Sequence, residues 1–156
     1  MWQRIQTVFL AIVVISTVAS VFLPIWVFED VASGITHQLY PLHYTRIEQG
    51  ARNTQYFPYS VTAMLLIAAA TVAVTTIRKY NDRFTQIKLG MLNTLLTAGV
   101  MISIVVFVGD LTKNYPTGWR YGLPFYFAFV SVVCNWLAIR FIRRDEKLVR
   151  DSERIR

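Results

Sequence analysis

The chain has 156 residues, of which 54% are hydrophobic and only 16% charged, with a mean hydropathy of +0.42 and a formal net charge of +7. That length suits one domain, and the composition excludes an ordinary soluble one. The basic balance is no nucleic-acid signature, because the bases gather in short segments between apolar runs, and no specific nucleic acid is predicted as a partner.

A bilayer core of about 30 Å takes roughly twenty helical residues at ~1.5 Å each. Four runs meet that requirement, at 4–23, 59–78, 85–109 and 123–142. The first opens with Arg4 and carries "VAS" at 18–20, as a cleaved signal would. However, "VFLPIWVF" keeps the chain apolar where a cleavage region turns polar, so this run reads as an anchor.

Segment 24–58 is the longest stretch outside the spans. Residues 25–29 and 35–40 are rich in β-branched and aromatic types and flank "DVASG", which predicts a β-hairpin with Gly34 at the positive-φ turn position. Pro41 cannot donate to a ladder and ends the second strand. A lone hairpin is marginal in water, so it must pack on the helix ends, with Trp26, Phe28, Leu39 and Tyr40 as its apolar face.

The short connection "RKYNDRFTQIK" makes the second and third helices antiparallel neighbours, with Asn81-Asp82 as turn and cap. The loop at 110–122 carries Tyr115, Pro116, Trp119 and Tyr121, residues suited to the headgroup level. The fourth span runs on into a charged tail, 143–156.

Twelve of the sixteen basic residues fall at the N-terminus, in the middle connection or from Arg140 onward; Arg46, Arg52, Lys113 and Arg120 fall in the other two loops. Basic residues stay cytoplasmic, so both termini are expected inside and the hairpin loop outside. Cys134, the one cysteine, permits no intrachain disulfide and excludes enzymes that work through cysteine pairs.

The opening "MWQRIQTVFL", the "PIW" after the first span, the "QIKLGMLN" entering the third and the closing "DEKLVRDSERIR" resemble the domain-of-unknown-function family 4293, four-helix membrane proteins of the Bacteroidetes group. The resemblance covers essentially the whole chain. It implies a bacterial inner-membrane protein of this size and transfers no catalytic residue. The tail departs from the family pattern in carrying Asp151-Ser152 after "LVR". The layout also resembles that of claudins, although their "W…G-L-W…C…C" signature is absent and a junctional role does not carry over. The expected fold is therefore an all-α, four-span bundle with a β-hairpin in the first outer loop, a claudin-like layout, and a cytoplasmic C-terminal helical extension.

No span carries an acid or histidine in its middle, whereas ion-coupled transporters usually place a carboxylate or a broken helix there. Asp110 stands at the outer end of the third span, and Arg140 at the inner end of the fourth can snorkel. Asn93 and Asn135 read as an interhelical hydrogen bond rather than a ligand contact. His37 and His43, near Glu29 and Asp30, suggest a metal set, but Pro41 lies between them and no third nitrogen or sulfur ligand is at hand outside the spans; no metal or cofactor is expected. Small residues at Ser16/Ser20 and Ala69/Ala73 let helices approach closely.

The tail carries eleven charges in the seventeen residues from Arg140. Phe141, Leu148 and Ile155 recur every seven residues, with Ile142 and Val149 alongside, and Glu146/Arg150 and Lys147/Asp151 are spaced for i,i+4 pairs. This pattern predicts a helix continuing the fourth span, with Leu148, Val149, Arg150, Ser152, Arg154 and Ile155 open to a partner. The function expected is a non-enzymatic accessory or scaffold subunit of a larger membrane complex. Its partners would be the bilayer and another membrane or cytoplasmic protein complex. The alternatives are a small transporter or channel, or an intramembrane lipid-binding protein or enzyme.

Overall fold

The computed structural model describes residues 2–30, 33–80, 82–115 and 117–153. Four helices dominate: α1 (Trp2–Phe22), α2 (Ser60–Arg78), α3 (Arg83–Asn114) and α4 (Leu123–Glu153). All four are long and apolar enough to cross a membrane. Pro24, which lacks an N–H, follows the end of α1. Asp82 caps α3, accepting from the Thr85 N–H at 3.0 Å and the Thr85 hydroxyl at 2.6 Å. Its partner in the expected turn, Asn81, lies outside the described residues. Hydroxyls within the spans are satisfied locally: Thr17, Ser20, Thr97 and Ser131 each donate to the carbonyl four residues back.

The helices pack as a ring, α1 on α2, α2 on α3, α3 on α4 and α4 back on α1. Ser16, Ser20, Ala69 and Ala73 are buried in it, as small residues must be for backbones to come close. At Gly90 a β-carbon would lie 2.7 Å from Ile139 Cγ1, so α3 and α4 also meet through a residue without a side chain.

The all-α expectation is corrected by a five-stranded antiparallel sheet. Its strands are β1 (Trp26–Asp30), β2 (Ile35–Leu39), β3 (Tyr44–Glu48), β4 (Ala51–Gln55) and β5 (Trp119–Tyr121), in the order β4-β3-β2-β1-β5. The expected hairpin is present as β1 and β2, with Gly34 at φ 67° and β2 ending before Pro41. Strands β3 and β4 escape a search for apolar runs because β4, "ARNTQ", is exposed along its whole length. They join through Gln49 and Gly50, both at positive φ, a turn type whose twist suits a two-residue hairpin. Strand β5 comes from the loop between α3 and α4 and pairs with β1, Trp26 facing Tyr121 and Phe28 facing Trp119.

Alternation then sorts the side chains. Trp119, Tyr121, Trp26, Phe28, His37, Leu39 and Tyr44 share the face turned to the bundle, where Ile25, Trp26 and Leu39 form one core with Leu66, Val100, Ile104, Val108, Leu111 and Ala128. Tyr40 does not join that face; its hydroxyl reaches Gln38 and its ring stacks on His43. Helix bounds also move: α3 runs on to Asn114, past the expected end at 109, and α4 passes from span to tail unbroken.

Both loops are locked together at Gly122. Its N–H donates to the Ile25 carbonyl at 2.7 Å, and a β-carbon there would lie 1.8 Å from the Pro24 oxygen. Gly122→Ala should therefore cost about 1–3 kcal/mol. Gly90→Ala, which meets only a movable side chain, should cost less, and Gly109→Ala, with nothing within 4 Å, should be neutral or slightly stabilising. Thermal unfolding in detergent, followed by tryptophan fluorescence, would give this order.

Candidate functional site

The polar and aromatic side chains concentrate at the two ends of the bundle. At the sheet end, the C-terminal turn of α3 brings Tyr115 beneath the sheet. Its ring lies 4.6 Å from His37 and 4.7 Å from Phe28, centroid to centroid. The Tyr44 hydroxyl is hydrogen-bonded to Nδ1 of buried His37 and also to Tyr115. Tyr59, at the start of α2, completes the cluster between Tyr44 and Phe107.

Burial lowers the His37 pKa, and Arg46 lowers it further, against a smaller opposing effect of Asp30. Neutral His37 can therefore accept through Nδ1 the proton that Tyr44 donates. Burial, with the neighbouring Tyr115 and Tyr59, raises the Tyr44 pKa. His43 is lowered by burial, lying between Tyr40 and Tyr56. The histidines thus have different neighbours, one under the sheet and one in its aromatic margin. Among the described residues, no group of three or more His, Cys, Asp or Glu is disposed to hold a metal. Glu29 pairs with Arg120 at 3.3 Å on the solvent face, and the Asp30 carboxylate accepts from the Ser33 hydroxyl.

Within the bundle, Asn93 and Asn135 meet between α3 and α4. Asn93 Nδ2 donates to Asn135 Oδ1 at 3.0 Å; Asn135 Nδ2 donates to the Gly90 carbonyl at 3.1 Å and to Thr94 Oγ1 at 2.8 Å. One helix thus reads two positions of the other through a single amide. A second polar link, Gln86 Nε2 to the Thr76 carbonyl at 3.0 Å, ties α3 to α2. Cys134 is buried with Val13 and Ala73, in packing rather than among reactive groups. Asp110 is exposed on α3, paired with Lys113.

At the other end lie the start of α1, the α2–α3 turn and the last turns of α4. Phe9 stacks on Phe141 at 5.6 Å, and Arg83 pairs with Asp145 at 3.1 Å, with both side chains largely sheltered at 26% and 16% exposure. Asp145 thus joins α4 to α3, a contact that the tail's own sequence could not show. Among the described residues neither Glu146/Arg150 nor Lys147/Asp151 closes to an ion pair, so the expected i,i+4 pairs do not form. Beyond Asp145 the helix leaves the ring. Leu148 is 55% exposed and Val149 37%, with Arg150 exposed beside them. Ser152 lies in the last turn with its side chain undescribed, and Arg154 and Ile155 lie outside the described residues.

Tyr44, Tyr59, Tyr115 and Phe107 are the members of the sheet-end cluster that sequence reading missed. The available signal was aromatic density at the loop–helix junctions, which an interfacial belt produces equally well.

Four membrane-length helices in a ring, capped at one end by a sheet, define a multi-pass membrane protein. Residues 2–155 match the family described as Domain of unknown function (DUF4293), and the chain belongs to that family. No curated protein matches it.

The His37 pKa is depressed on folding, so its contribution to stability is present above the unfolded value of about 6.5 and fades as pH falls below it. Tyr44 behaves oppositely: its stability is present below about 10 and lost as pH rises. Melting temperature should hold from about pH 7 to 9 and fall towards pH 5.5. Replacing both His37 and His43 by Asn should flatten that acid limb.

Proposed function

We propose that the protein is a non-enzymatic accessory or scaffold subunit of a larger complex in a bacterial inner membrane, of the Bacteroidetes group. Both termini face the cytoplasm and the sheet faces out. The orientation rests on the concentration of basic residues at the N-terminus, the α2–α3 turn and α4. The claudin-like layout, a strand-bearing loop followed by three more helices, fits a protein that presents its outer surface to partners.

One observation carries the reading. Helix α4 leaves the ring as a continuous helix, and the Arg83–Asp145 pair fixes its direction just before Leu148, Val149 and Arg150. A tail that merely set topology would need charge alone. Here Leu148, more than half exposed, stands on an anchored helix, which suits a short helix-in-groove contact with a protein partner. The sheet offers a second surface on the other side of the membrane, whose solvent face mixes Glu29, Thr36, Arg52 and Arg120. A small transporter, channel or intramembrane enzyme would need a polar chamber within the spans, whereas Asn135 uses its amide on α3, accepting from Asn93 and donating to Gly90 and Thr94, and leaves Asn93 Oδ1 as the one unpartnered atom of that link.

Two measurements test this. With Cys134 replaced, a cysteine at Thr54 should react with an impermeant thiol reagent from outside and one at Leu148 only after permeabilisation; the reverse pattern would overturn the orientation. A photocrosslinking residue at position 148 should give one discrete protein adduct in cells, lost when Val149 is changed to Asp. Crosslinks to lipid alone would leave the tail as a surface-lying extension.

A further inference from the structure

On the lipid side of the α3–α4 contact runs an open groove of about 610 Å³, lined by Met91, Thr94 and Leu95 of α3 and by Trp136, Ile139, Arg140 and Arg143 of α4. Its walls are apolar along most of their length and end in two guanidinium groups. Gly90 and Ile139 bring the helices into contact at its floor, and Thr94 is held there by its bond to Asn135. From Trp136 to Arg143 the groove spans roughly 10 Å along α4, at ~1.5 Å per residue.

Depth decides what can occupy it. Counted from Leu123, a ~30 Å hydrocarbon core is crossed after about twenty residues, near position 142. Arg143 therefore stands at the headgroup boundary and Arg140 one turn inside it, its guanidinium 5.5 Å from the Trp136 ring centroid. Met91, Leu95 and Trp136 are exposed, at acyl-chain depth. Among the described residues neither arginine has a carboxylate within ion-pair distance. Asp145 is taken by Arg83, and Glu146, one turn beyond Arg143, does not close on it. Two unneutralised cations at the mouth of an apolar groove call for an amphiphile with an anionic head.

We propose that this groove binds one anionic phospholipid of the adjoining leaflet. Its phosphate lies between Arg140 and Arg143, and one acyl chain lies along Met91, Leu95, Trp136 and Ile139. Planar guanidinium forks match phosphate oxygens, and the indole beside Arg140 shields it from the chains on either side. A protein segment would have to enter from the hydrocarbon and would leave the arginines facing apolar side chains. A free phosphate would find no use for the groove.

The test uses the full chain in mild detergent and native mass spectrometry. Phosphatidylglycerol should be retained as a single adduct and chain-matched phosphatidylcholine should not, while inorganic phosphate should neither bind nor compete. Changing Arg140 and Arg143 together to Gln should weaken retention about thirtyfold. Changing Lys147 and Arg150 to Gln, the same loss of charge beyond the groove, should have little effect. Leu95→Trp, which fills the apolar part and keeps both arginines, should also reduce retention. Equal retention of the two lipids, equal effects of the two charge-removing pairs, or full competition by inorganic phosphate would each overturn the proposal. Unchanged melting temperature in the Arg140/Arg143 variant confirms that loss of binding is not loss of fold.

Discussion

Between helices surrounded by lipid there is no hydrophobic gain from association, since acyl chains are as apolar as leucine. The ring must therefore be fixed by close approach, by a few polar links and by whatever holds its ends. Here one end is held by a sheet whose strands come from both loops on that side. Strand β5 closes against β1, and the Gly122 N–H meets the Ile25 carbonyl where each chain enters or leaves a helix. That single edge makes α1 and α4 neighbours and leaves α2 and α3 to fill the ring. The sheet in turn depends on the bundle, because its aromatic face has nowhere else to be buried.

The two ends are built for different purposes. Under the sheet, buried His37 and half-buried Tyr44 and Tyr115 are hydrogen-bonded into an aromatic layer on α2 and α3. Among the described residues the other end has no strand. It is held by the Phe9–Phe141 stack and the sheltered Arg83–Asp145 pair, beyond which α4 continues with Leu148 largely exposed. Between the ends, the Asn93–Asn135 link contributes about 0.6 kcal/mol by analogy with other membrane helices. Its larger effect is to fix the rotation of α4 about its axis, and hence the side on which Arg140 and Arg143 emerge.

Much of this was legible in the sequence. Four apolar runs give four helices, and "DVASG" between β-branched stretches gives the first hairpin. Asn93 and Asn135 stand out as polar residues in apolar runs. What remained hidden has physical reasons. Strand β4 is an edge strand exposed along its length, so no apolar periodicity marks it, and the Gln49-Gly50 turn lacks the usual Asn or Asp. Strand β5 is three residues long and becomes a strand only by pairing with a segment about ninety residues earlier. Composition puts Tyr40 on the packing face, whereas alternation places it beside Gln38. The tail's charges suggested pairs within α4, but Asp145 finds its partner on α3, a choice that depends on helix packing rather than spacing.

The pairing of the two loops is open to direct test by disulfide trapping. Val27 and Arg120 face each other across β1 and β5, a separation that suits a disulfide in an antiparallel pair. In a chain with Cys134 replaced by Ser, Val27→Cys with Arg120→Cys should oxidise almost completely under mild conditions and leave the protein folded. Glu29→Cys with Arg120→Cys, one step out of register on the same face, should oxidise far less. Failure of the facing pair to crosslink in well-folded protein, or equal crosslinking of both pairs, would contradict a sheet closed by the second loop.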